Sequence, residues 1–457
     1  MKKSIELDEV QALVFRGHGD MPCSQAVWLA ITDPSAARGP LRQLADERVS
    51  FGAARLDPVR PRLQLLFSAA GLRRLGAMDD RATTFHRSFA QGITAPHRMR
   101  ALGDTGRNHP DGWHWQDRTA HLMVMVYAPD ATGARVEAER VEQALAAGCA
   151  VIHRLNTCLP ADEREPFGFR DGLSKVVVRR DEGDGRSPAD ESLLPGEVVL
   201  GYADATGEDR PVPALLENGS FAVVRQLRQD VRGFWQFWRD QARGSEVEAV
   251  WLAAKAMGRW PNGMPLLPGP PGAEPVLREA IAAQPLSFRA DARGTGCPLG
   301  AHVRRANPRD GLTPDPAVSQ AIVDLHRMLR RGRVYGSLPP PDWYPRGLRR
   351  THPGLGPPLA DDEKGLLFMS LCGDLARQFE FIQQSWLNHP KHAELQNESD
   401  PVAAGDGIAG DGSFFSVPAE GFRRRVSGLR GWVTVRGGGY FLMPGRRALR
   451  RLLAETR

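Results

Sequence analysis

Apolar runs alternate along this chain with stretches whose apolar positions recur every three to four residues. QAVWLAI (25–31) and RLQLLFS (62–68) predict strands, and TAHLMVMVYAP (119–129) predicts the most continuously apolar one. ARVEAERVEQALAAG (134–148) is rich in helix formers and stops at Gly148, after which AVIHRL (150–155) returns to a strand pattern. In the second half GSFAVVRQL (219–227) predicts a strand. It runs into a helix carrying Val231, Phe234, Trp235 and Trp238 at i, i+3, i+4 and i+7, the stripe of a core-facing face. KGLLFMSL (364–371) predicts a buried strand. GDLARQFEFIQQSW (373–386) predicts a helix with Leu375, Phe379, Ile382 and Trp386 on one face. GWVTVRGGGYFLMP (431–444) predicts a hairpin turned at its glycines, and the polar or Pro/Gly-rich stretches 180–195 and 265–275 predict exposed loops.

Strand–helix–strand units thus recur in both halves, with no short tandem repeat. The expected fold class is α+β, built from two similar domains. Each has a mostly antiparallel sheet with helices on one face. The boundary is expected between 200 and 218, dividing the chain into 1–210 and 211–457.

Composition narrows the classes. With 41% hydrophobic residues the 457-residue chain has ample material for cores. Net charge is +6, but the arginines are scattered and no basic block carries interleaved aromatics, so no nucleic-acid partner is expected. Cys23, Cys149, Cys158, Cys297 and Cys372 are odd in number and lack metal or redox spacing, which fits a reducing, cytoplasmic compartment. No leader pattern follows the N-terminus, and no run approaches the ~18 apolar residues of a membrane span, so no membrane partner is expected.

Four stretches carry candidate chemistry. EPFGFRDGLSK (165–175) sets Asp171 among Phe167, Gly168, Phe169, Arg170 and Gly172, where it either starts a turn or presents a carboxylate to a ligand. AHVRRANPR (301–309) places His302 among glycine, proline and arginines. HRMLRRGRVYG (326–336) holds Arg330 and Arg331, and KGLLFMSL holds Leu366 and Phe368. His109, His114 and His121, at spacings of five and seven, match no metal motif and are read as surface or packing residues.

In this order, with PALLENGSFAVVRQLRQDVRGFW (213–235) and GWVTVRGGGYFLMPG (431–445), the stretches resemble the dye-decolorising peroxidase family. The resemblance runs from about residue 20 to 445 and is closest to the longer bacterial and fungal members. It implies two ferredoxin-like α+β domains and haem b (iron protoporphyrin IX) in a cavity of the second domain. It implies His302 as proximal iron ligand, Asp171 as distal acid–base group and Arg330 as the distal cation, with Arg331 as the alternative beside it. Leu366 and Phe368 would line the distal pocket, with Gly168 and Gly172 letting backbone approach the porphyrin edge. Asp400, in ESDPVAAG, resembles the segment that supplies an acceptor to the proximal histidine; an Asp-Pro pair by itself also starts turns. Lys175-Val176 departs from the family pattern, which commonly has proline there.

The resemblance implies peroxidase activity with hydrogen peroxide and small or dye-like organic reductants as partners, and it leaves self-association into a homo-oligomer open. The alternative is a haem-handling or haem-sensing protein with little turnover. For Trp386 the shared helical face favours packing over a surface electron-relay role.

Overall fold

Eight strands carry the architecture: β1 Cys23–Ile31, β2 Arg62–Ser68, β3 Leu122–Ala128, β4 Cys149–Cys158, β5 Ser220–Gln229, β6 Arg333–Tyr335, β7 Gly365–Cys372 and β8 Val433–Met443. The computed structural model describes residues 4–454 except 53–56, 79–85, 174–175, 181–190, 208–210, 269–271, 283–285, 338, 349–362, 405–412 and 420. The first four strands pair in the order β4-β1-β3-β2, and the last four in the equivalent order β8-β5-β7-β6. All of these pairings are antiparallel. In each half the fourth strand lies beside the first and the third separates the first from the second. This is the ferredoxin-like α+β arrangement expected of both halves.

Periodicity predicts the strands of each half but not their joining. Phe441 and Leu442 of β8 pair with Ser68 and Phe67 of β2. Val334 and Tyr335 of β6 pair with Cys158 and Thr157 of β4. The eight strands therefore close into one ring, which satisfies the edge groups that either half alone would leave unpaired. Every strand sends residues to one shared interior cluster, among them Trp28, Leu66, Met125, Leu155, Val224, Tyr335, Leu367 and Phe441.

Helices cover the outer faces. α1 Pro34–Glu47 and α2 Ala131–Leu145 are capped by Asp33 and Asp130, whose side chains accept from first-turn N–H groups. Their Leu41 and Val141 pack with Val27, Leu65 and Val124. On the other half α3 Val231–Gln241 presents the predicted stripe. Val231, Phe234, Trp235 and Trp238 are all buried, together with Leu252 of α4 Glu246–Met257.

Two predicted elements are corrected. The stretch 431–444 is not a hairpin: β8 runs unbroken through Gly437, Gly438 and Gly439. The glycines serve close approach instead of a turn. A Cβ on Gly437 would overlap the Trp115 indole, and one on Gly438 would stand 2.9 Å from the Trp113 ring. The helix after β7 is wound as a π-helix over Ala376–Glu380 and Ile382–Leu387, with Glu380 N–H donating to the Leu375 carbonyl at 2.9 Å. The wider turn splits the predicted single face. Leu375 and Phe379 join the cluster under the sheet, whereas Ile382 and Trp386 join a separate small one. Of the predicted loops, 181–190 and 269–271 lie outside the described residues.

Candidate functional site

The segment after β4 is tied down before it reaches Asp171. Glu165 is buried, and its carboxylate accepts from Phe167 N–H (3.0 Å), Phe169 N–H (2.9 Å) and the Gln229 amide (2.6 Å). Burial pushes its carboxyl up to about 7, against those three donors. Trp235 and Tyr344 donate to the carbonyls of Phe167 and Pro166 at 2.9 and 2.6 Å. Gly168 has φ 97°, and a Cβ there would meet the Tyr344 ring at 3.2 Å. This glycine serves the turn and the tyrosine. Gly172, at φ 75°, faces open space. Arg170 turns away, to Glu163 and Glu279. Asp171 is left at the end of this anchored turn. Lys175 lies outside the described residues.

Asp171 Oδ1 accepts from Gly172 N–H at 2.7 Å and from Arg330 Nη2 at 3.3 Å. The Arg330 charge holds the Asp171 carboxyl below the ordinary carboxylate range, and burial opposes it. Arg330 ends a short strand, Leu329–Arg330, that pairs with β7 at Ser370 and Leu371. Arg331 points elsewhere. Its guanidinium donates to the carbonyls of Leu13 (2.8 Å) and Val14 (2.9 Å), fixing the N-terminal segment. The structure brings Arg330 to Asp171 and does not bring Arg331.

His302 begins the short helix His302–Ala306. Its Nδ1 lies 2.9 Å from Asp400 Oδ2, and the Asp400 side chain is wholly buried. Asp400 Oδ1 accepts from Val402 N–H (2.9 Å) and Ala403 N–H (2.6 Å). Burial alone would lower His302 and raise Asp400. The pair reverses both: His302 stands above its ordinary value and Asp400 below it, because each stabilises the other's charge. Asp400 is thus both a turn former and the acceptor that fixes the imidazole, one oxygen for each task. His302 Nε2 makes no hydrogen bond among the described residues.

These groups stand near one another. The Asp171, Arg330 and His302 side chains keep 49%, 56% and 28% of their surface open. Asp171 and His302 are nonetheless surrounded by protein as densely as core residues, and His302 feels the charges of both Arg330 and Asp171. β7 supplies a wall. Leu367 and Met369 are buried inside the ring, while Leu366 and Phe368 on the opposite face are only half-buried although β7 has neighbours on both sides. Among the described residues no group of three or more His, Cys, Asp and Glu could hold a bare ion. A metal on His302 must therefore bring its other ligands with it, as a porphyrin does. An anchored imidazole with one nitrogen unpaired and part of its side chain open fits that group.

The residues read as surface or packing groups make structural contacts. His121 Nδ1 accepts from Ile31 N–H, His114 stacks on His153, and His109 accepts from Asp111 N–H. Trp386 is buried, packed against His326 and Phe381.

No family model matches the chain. The multifunctional dye peroxidase of Amycolatopsis sp. is 30% identical over 98% of this chain and 96% of its own length. The chain belongs to the dye-decolorising peroxidase family. A dye-decolorising peroxidase of the fungus Mycetinis scorodonius is 28% identical over 86% of this chain and 76% of its own. Among solved structures, an ancestral D-type dye-decolorising peroxidase aligns with a TM-score of 0.79 at 24% identity, covering 99% of this chain and 100% of that one. A dye-decolorising peroxidase in complex with 2,6-dimethoxyphenol aligns with a TM-score of 0.80 at 20% identity, covering 98% and 100%. These likenesses show the fold. Membership makes the chain a peroxidase-class oxidoreductase. Within a dye-decolorising peroxidase sequence, Glu165 and its partner Gln229 are the site residues that motif reading overlooks. A carboxylate three residues before Gly168 was in view, but its acceptor role depends on a strand 64 positions away.

Proposed function

We propose that this protein is a haem b peroxidase that reduces hydrogen peroxide and oxidises dyes and phenols by one-electron steps. The observation that carries the reading is the convergence of Asp171, Arg330 and the Asp400-held His302, which stand within range of one another's charge. His302 Nε2 would hold the iron, and Leu366 and Phe368 would wall the distal side. Bound haem supplies an open iron position for peroxide and a store for oxidising equivalents.

The chain's own groups then have separate tasks. Asp171, kept ionised by Arg330, takes a proton from one peroxide oxygen and delivers it to the other. The Arg330 guanidinium stabilises the negative charge that develops as the O–O bond breaks. His302 donates Nδ1–H to Asp400, which fixes its tautomer and keeps Nε2 a strong donor. The half-buried Leu366 and Phe368 restrict the distal space to peroxide-sized molecules. The distal carboxylate lies in 1–210 and the imidazole and arginine in 211–457, so these two parts, read as the domains, make the site jointly.

The phenol held by a structural relative supports small organic donors. A haem carrier would need neither Asp171 nor Arg330. The test is to load the protein with haem, record its Soret band, and follow peroxide-dependent oxidation of 2,6-dimethoxyphenol and of an anthraquinone dye. A Soret band with turnover of both supports the reading. A Soret band without turnover leaves a haem carrier, and no band removes both.

A further inference from the structure

Cys23 opens β1 and Cys158 closes β4, and the two stand opposite each other in the antiparallel register. Leu159 N–H donates to the Pro22 carbonyl at 2.8 Å. That bond joins the residue after Cys158 to the residue before Cys23, which makes this a non-hydrogen-bonded pair. In such pairs the Cα atoms approach to ~4.5 Å and the side chains are closest. A disulfide needs Cα atoms ~4.4–6.8 Å apart. The adjacent pair shows how tightly the strands face each other: the Ser24 and Thr157 hydroxyls are 2.6 Å apart. Both cysteines are thiols in this structure. The other three have no cysteine opposite them: Cys149 faces Ile31, Cys372 faces Phe221, and Cys297 lies outside the strands.

We propose that Cys23 and Cys158 are a modification site, a thiol pair that hydrogen peroxide closes into a reversible cross-strand disulfide. The two members have different parts. Cys23 is half-buried and Cys158 is buried, so peroxide meets Cys23 first. Arg333, fixed by the Met21 and Pro22 carbonyls, brings its positive charge to both sulfurs, which favours thiolate. Burial, with the Asp130 carboxylate acting the same way, outweighs it and keeps the Cys23 thiol above its ordinary value. Closure is therefore slow near neutral pH and faster as pH rises.

The chemistry balances without another reactant. The Cys23 thiolate attacks one peroxide oxygen, the O–O bond breaks, and hydroxide leaves and takes up a proton, giving a sulfenic acid and one water. The Cys158 sulfur then attacks the Cys23 sulfur and loses its proton. The S–S bond forms and the hydroxyl leaves as a second water. Two thiols are oxidised by two electrons and one peroxide is reduced. The bond would staple β1 to β4 where β6 also docks, since Val334 pairs with Cys158.

The proposal rests on the peroxidase reading only for the identity of the oxidant, and its test does not use turnover. The haem-loaded full chain is treated with hydrogen peroxide, its remaining thiols are alkylated, and the digest is read by mass spectrometry. The expected result is a Cys23–Cys158 crosslinked peptide, an intact mass lower by two hydrogens, reversal by dithiothreitol, and faster formation at higher pH. In Cys158→Ser the crosslink is absent and Cys23 stops at oxygenated forms. Alkylation of both cysteines after peroxide, oxygenated Cys23 without crosslink in the wild type, or a crosslink through another cysteine would overturn the proposal.

Discussion

Asp171 is useful because its neighbours decide its charge. Arg330 holds the carboxyl below the ordinary range, so the ionised form persists into mildly acidic solution. The sign follows directly: a group with a depressed pKa acts as a base above that value and is lost as pH falls through it. Arg330→Leu removes the largest cause of the depression. The acid limb of the peroxide-reaction pH profile should then move toward neutral pH, and an unmoved limb would show that Arg330 does not set the Asp171 charge. His302→Ala removes the imidazole held by Asp400. The variant should purify with little haem or with a displaced Soret band; wild-type haem content and spectrum would remove His302 from the iron. These residues were legible through the ordered motif set. The resemblance put Arg330 ahead of Arg331, and the structure separates them: Arg330 reaches Asp171, while Arg331 donates to the Leu13 and Val14 carbonyls. Trp386 packs as expected, but in a small cluster apart from Leu375 and Phe379.

Elements explain how the side chains are aimed. The loop carrying Asp171 owes its shape to Glu165, whose carboxylate gathers two backbone N–H groups and the Gln229 amide. Glu165→Ala leaves those donors without that acceptor, and each buried unsatisfied donor costs about 1–3 kcal/mol. We expect lower stability in denaturant titration and a slower peroxide reaction with haem content unchanged. A stable variant reacting at the wild-type rate would show that the loop holds itself. β8 offers a second test. Gly437→Ala drives a Cβ into the Trp115 indole, which is itself bonded to Gln226 at 3.0 Å. Overpacking of this kind typically costs about 1–3 kcal/mol, readable as a lower unfolding midpoint; an unchanged midpoint would mean the indole can move aside. Sequence reading took this glycine run for a turn because Gly marks turns and close packing alike. The π-wound helix was hidden for a related reason: apolar spacing locates a helix, but a wider turn redistributes the same residues between two clusters.

At the scale of the molecule, the ring of eight strands is what sequence shows least. The strands of each half are visible as apolar runs, and the repeated order follows from the ferredoxin-like topology. The two seams join residues such as Ser68 to Phe441 and Cys158 to Val334, whose distance along the chain leaves no local trace. Pairing of β7 with β5 and β6 leaves Leu366 and Phe368 half-buried on the face away from the ring interior, and the Asp171 loop of one half reaches Arg330 of the other, with His302 within range of both charges. The proposed acid–base group thus comes from one half, and the proposed cation and iron ligand from the other. The decisive measurement of the Asp171 role is the second-order rate constant for hydrogen peroxide reacting with the haem-loaded protein, wild type against Asp171→Asn. A positioned acid–base group is worth ~10²–10⁴-fold. The predicted result is a fall of that order with haem content and Soret position unchanged, and an Asp171→Asn protein that reacts at the wild-type rate would contradict it.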